Sequence, residues 1–101
     1  MELRRGQRVP RQIHVSFASD DMTGTGVIYN ISKEGCAIES ETYIPMDSYL
    51  QLEVHLSTGE APVIVELAAV RWSTRSEFGA EFLTIREDGK SRLLKYLAKP
   101  N

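Results

Sequence analysis

Apolar and polar residues alternate along most of this chain, with the two-residue period of strands that bury one face and wet the other. Residues 12–17 set Ile13, Val15 and Phe17 against Gln12, His14 and Ser16. After the polar turn ASDDMTG at residues 18–24, TGVIYNIS resumes the pattern, placing Tyr29 and Ile31 on one face and Asn30 and Ser32 on the other. KEG then closes a tight turn in which Gly35 is expected to take a positive φ. CAIES returns as the second half of that hairpin. Residues 49–56 alternate most strictly, with Leu50, Leu52, Val54 and Leu56 inward and Gln51, Glu53 and His55 outward. STGEAP turns the chain into residues 63–73, a stretch too long and too apolar for simple alternation. Its Ala68-Ala69 pair predicts a bulge or bend that lets a strand curl round a barrel. TRSE leads into the last strand, where Phe78, Ala80 and Phe82 share a face.

The period then changes. Leu93, Leu94 and Leu97, flanked by Tyr96, recur at helical spacing and predict a helix over about residues 85–98. Thr84 and Glu87 form a candidate capping box, with Asp88 as a competing N-cap because Gly89 would lie inside the helix. The elements predict a mainly β fold: a small six-stranded antiparallel barrel, split or Greek-key-like, with a short C-terminal α-helix.

A length of 101 residues supports one compact core. The expected organisation is a flexible arginine-rich arm at residues 1–11 and a single domain at residues 12–101, without repeats or low-complexity segments. The arm has no apolar stretch behind it that could serve as a secretory or membrane segment, so the expected setting is cytoplasmic, or the cytoplasmic domain of a larger protein, with no membrane insertion. Cys36 is the single cysteine, reads as a small buried hydrophobe, and has no zinc-type partner spacing, so neither a metal nor a cofactor is expected. His14 and His55 fall on the outward faces of separate strands, with no nucleophile or carboxylate at a triad spacing. No constellation points to an enzyme.

Charge changes the picture more than composition does. The net charge of −2 conceals basic ends and an acidic middle: four arginines against Glu2 in residues 1–11, and eleven acidic against three basic side chains in residues 12–85. An acidic body argues against wrapping long nucleic acid, and against an oligonucleotide-binding barrel, which rewards a basic strand face with exposed aromatics. A local arginine cluster can still hold a small anion.

That cluster is LRRGQRVPR, residues 3–11, in which Pro10 forces Val9 to be extended and so prevents a helix. Alone it also fits an ordinary solvated terminus. Its guanidinium forks suit phosphate oxygens or guanine O6 and N7, and their flat faces can stack on a base. NISKEG, residues 30–35, alone also fits an ordinary turn. As a recognition patch, the Asn30 amide offers one acceptor and two donors to a base edge, Ser32 adds a hydroxyl, and Gly35 removes a Cβ that would block a ligand from the turn. Trp72, ending an apolar strand, fits either a base-stacking platform or a seal between barrel and helix.

Together the two clusters resemble the PilZ domain, a family of bacterial receptors for the second messenger cyclic di-GMP. Its RxxxR motif is met by Arg4-Arg5-Gly6-Gln7-Arg8, and its D/N-x-S-x-x-G motif by Asn30-Ile31-Ser32-Lys33-Glu34-Gly35. One strand and one turn separate them, and AVRW, FGAEF and a leucine-bearing helix follow, as in that family. The resemblance implies that Arg4 and Arg8 contact the phosphates and guanines, assisted by Arg5, and that Asn30, Ser32 and Gly35 line the guanine pocket. Family members that bind two stacked ligands often carry a further arginine just before RxxxR. Leu3 stands there, which points to one ligand per domain unless Arg5 or Arg11 substitutes. The resemblance further implies a receptor or adaptor that changes conformation and signals to a partner protein or adjoining effector domain. The alternative is a PilZ-type interaction module of pilus or motility machinery that does not bind cyclic di-GMP.

Overall fold

The computed structural model describes the backbone of residues 9–99 and the side chains of residues 12–99. Six strands and one helix follow in order: β1 (Val9–Ala18), β2 (Thr23–Ile31), β3 (Gly35–Glu39), β4 (Tyr49–His55), β5 (Val63–Ser73), β6 (Glu77–Ile85) and α1 (Glu87–Ala98). All pairings are antiparallel, and they close a barrel in the order β1-β2-β3-β6-β5-β4. Two three-stranded meanders are joined where β3 meets β6 and where β1 meets β4. The connection at residues 40–48 carries the chain from one meander to the other, with Ile44 buried in the core.

Alternation becomes a core because the inward set of each strand meets the inward sets of its neighbours. Val15 faces Val54 and Phe17 faces Leu52 across β1 and β4, while Cys36 faces Ala80 and Ile38 faces Phe78 across β3 and β6. Phe17 and Phe78 meet edge to face inside, with ring centroids 5.3 Å apart at 89°. Cys36 is buried in this core, as its pattern implied.

Two local expectations are corrected and one is extended. The helix begins at Glu87, because β6 keeps its ladder to β5 through Thr84 and Ile85 and takes Thr84 into the sheet. Arg86 is the N-cap and makes no side-chain cap, so neither the Thr84 box nor Asp88 starts the helix. Glu87 and Asp88 instead place negative charge in its first turn. Irregularity in β5 does adjoin the alanine pair, with a shift between Leu67 and Ala68, but it extends further, with shifts between Val65 and Leu67 and between Val70 and Trp72. Finally, Gly35 is not among the glycines with positive φ.

The helix packs on β5: Leu93 enters the core, Tyr96 and Leu97 lie against it, and Gly89 lets the helix approach Val63.

Candidate ligand-binding surface

Asn30 lies at the bulged end of β2. The β2–β3 register shifts between Ile28 and Asn30, so Ile28 and Ile31 both enter the core, three residues apart. Simple alternation fails here: Tyr29 turns outward with Asn30, and its hydroxyl donates a 2.7 Å hydrogen bond to Glu77 Oε1 on β6. Ser32 falls beyond the strand and so does not share a strand face with Asn30. It is 1% exposed. Its N–H donates to the Gly35 carbonyl at 2.8 Å, and its hydroxyl accepts from the Glu34 N–H at 3.1 Å. Ser32 therefore organises the turn from within.

Gly35 has an equally internal reason. A Cβ there would overlap the carbonyl oxygen of Ala80, its neighbour's partner on β6. The absent side chain lets two strands approach. Between these residues, the Glu34 carbonyl accepts from the Phe82 N–H at 2.8 Å. Glu34 Oε1 is buried without a hydrogen-bond partner among the described residues, an acceptor that a donor from outside that set could satisfy.

The barrel register joins Asn30 to Trp72. Asn30 pairs with Ala37 on β3, Ala37 with Gly79 on β6, and Gly79 with Trp72 on β5. Residues directly opposite share a face. Asn30 and Trp72 thus stand at the two ends of one outward row, three strand spacings or roughly 14 Å apart, over a floor made only of Ala37 and Gly79. The indole of Trp72 lies on Gly79, where any Cβ would overlap the ring. This is aromatic cover of a strand glycine, not a seal between barrel and helix. One flank of the row is the Tyr29–Glu77 hydrogen bond. The other is Arg71, whose Nε donates to Glu81 Oε1 at 2.7 Å, with Glu81 directly opposite Gly35. Sequence reasoning missed Tyr29, Ala37, Gly79, Arg71 and Glu81. AVRW and FGAEF contain Arg71, Gly79 and Glu81, but the row itself exists through non-local pairing.

β1, which follows the arginine motif in the sequence, begins at the same end of the surface. Val9, the first residue of β1, pairs with Ile31, and Pro10 pairs with Asn30. Val9 is the residue that follows Arg8 in the sequence, so the motif is followed directly by this rung. Leu3, Arg4, Arg5 and Arg8 lie outside the described residues, as does the side chain of Arg11, whose backbone belongs to β1.

Residues 2–99 match the sequence model of the PilZ domain. The chain belongs to the PilZ family. Among solved structures it is similar to the inhibitor of motility MotI/DgrA of Bacillus subtilis, with a TM-score of 0.74 and 20% identity over 95% of this chain. It is also similar to the PilZ domain of CeSA from a cellulose-synthesizing bacterium, with a TM-score of 0.71 and 19% identity over 92% of this chain and 99% of that one. The PilZ chain described here spans 50% of the motility inhibitor's length. No curated protein sequence matches it. At these identities the likeness to the solved structures is one of fold. No helix among the described residues of this PilZ chain is long and apolar enough to cross a membrane.

Proposed function

We propose that this PilZ chain is a non-enzymatic receptor for cyclic di-GMP. A guanine sits on the surface between Asn30 and Trp72, and the guanidinium groups of Arg4 and Arg8, assisted by Arg5, hold the phosphates. The observation that supports this reading is the Val9–Ile31 rung, which sets the residue following RxxxR in the sequence against the strand that leads into the turn holding Ser32 and Gly35. Each part has matching chemistry. A dianion is bound by guanidinium forks, and Trp72, only partly buried where it covers Gly79, offers an indole on which a flat base can stack. Ser32 and Gly35 support the site by shaping the turn, so Asn30 and Trp72 are the base-contacting side chains. With Leu3 preceding the motif, one ligand binds per domain. The signal is the ordering of the arm over the ligand, at a cost in conformational entropy that charge-assisted hydrogen bonds must exceed. Its output passes to a partner protein or adjoining domain, as a motility inhibitor and the PilZ domain of CeSA among the structural neighbours suggest.

Amide shift mapping tests the location. Cyclic di-GMP should move Asn30, Ala37, Gly79 and the Trp72 indole N–H, while leaving α1 unmoved; shifts confined to α1 or to the β4–β5 turn would contradict it. Trp72→Ala should weaken binding about tenfold, the scale of one lost base-aromatic stack, and Trp72→Phe should retain most of it.

A second reading draws on one specific observation. Because Ser32 and Gly35 are both occupied with internal structure, their motif can persist in a PilZ domain that only docks proteins. In that case the nucleotide leaves every amide unmoved.

A further inference from the structure

The chain contains two histidines, and the barrel places them opposite each other. His14 on β1 pairs with His55 on β4 in antiparallel register, both exposed on the outer face. Directly opposed residues of such a pair have Cα atoms roughly 4.5–5.5 Å apart, so two imidazoles can converge on one point between them. Neither has a hydrogen-bond partner among the described residues. They open on a surface cleft of about 640 Å³ that also includes Thr58, Gly59 and Glu60 of the β4–β5 turn.

We infer that His14 and His55 form a two-imidazole site for a borderline divalent transition ion such as Zn²⁺, Ni²⁺ or Cu²⁺. Imidazole is the usual protein ligand for these ions, and oxygen-preferring Mg²⁺ or Ca²⁺ would gain little from it. Val27 on β2 lies opposite His14 and offers no ligand. Glu53, two residues before His55 on the same strand face, and Glu60 in the cleft supply negative charge nearby. No group of three or more protein ligands exists among the described residues. The site therefore holds its ion through two nitrogens, with water in the remaining positions, and exchanges it readily. A bound ion bridges β1 to β4, on the strand that continues from the arginine motif. The inference is independent of the nucleotide reading, since neither histidine belongs to the Asn30–Trp72 row.

Cu²⁺, which forms the strongest complexes in this series, is the probe. The expected result is one Cu²⁺ per chain, with an electron paramagnetic resonance spectrum showing two coordinated nitrogens. Zn²⁺ in large excess competes with it, and Zn²⁺ alone raises the unfolding midpoint, because the folded barrel holds the two imidazoles side by side. His14→Gln and His55→Gln, both at exposed positions and checked by circular dichroism, should each lower affinity about tenfold or more, as expected when one of two ligands is lost. They should also abolish the Zn²⁺-dependent rise in midpoint. No binding, or an unchanged spectrum in the double variant, overturns the site.

Discussion

Gly35→Ala should lower the unfolding midpoint by about 15 °C, with no change in the residues facing the proposed ligand. The added methyl would meet the backbone carbonyl of Ala80, and backbone cannot swing aside as a flexible side chain can. β3 must move away from β6 at the rung where the motif turn begins. Overpacking at such a contact costs about 3 kcal/mol, and in a domain of this size each kcal/mol corresponds to roughly 4–8 °C. Thermal melts followed by circular dichroism measure it directly. An unchanged midpoint with lost nucleotide binding would restore Gly35 to the role its motif first suggested, as clearance for a ligand.

Arg8→Ala should have the opposite profile, leaving the melt unchanged and reducing affinity for cyclic di-GMP by roughly 100- to 10,000-fold. Hydrogen bonds to charged groups contribute about 1.5–3 kcal/mol each, and a bidentate guanidinium-phosphate contact loses two of them. Arg8 is the arginine of the motif nearest in sequence to the Val9–Ile31 rung. Arg8→Lys should recover little, because an ammonium cannot reproduce the planar fork. Calorimetry with each variant reads the effect. Equal affinity in Arg8→Ala and the wild type would remove the arm from the site.

Much of the fold was legible because its signal is local. The alternation of Ile13, Val15 and Phe17, and of Leu50, Leu52 and Val54, is the burial pattern of β1 and β4, and the helical spacing around Leu93 marks α1. What escaped depends on partners distant in sequence. The bulge that turns Tyr29 outward fits the β2–β3 register and the Glu77 hydrogen bond, neither of which alternation encodes. Thr84 resembles a helix cap until β5 claims it for the sheet. Trp72 covers Gly79 because a bulge between Val70 and Trp72 sets their register.

The candidate site divides in the same way. Its residue types were readable in two short motifs, but the division of labour between them was not. Ser32 and Gly35 looked like ligand contacts because hydroxyls and glycines suit that role. The turn uses the Ser32 hydroxyl and N–H internally, and the approach of β6 uses the missing Cβ of Gly35. Trp72 fitted either a base-stacking platform or a seal between barrel and helix; the barrel closure puts it at the far end of the Asn30 row.

The central claim is best tested by isothermal titration of the intact chain with cyclic di-GMP, alongside cyclic di-AMP as a control that lacks the guanine edge. Saturable binding of one cyclic di-GMP per chain, with little or none of the adenine analogue, is the predicted result. No detectable heat with cyclic di-GMP at micromolar protein, or equal binding of both nucleotides, would contradict it.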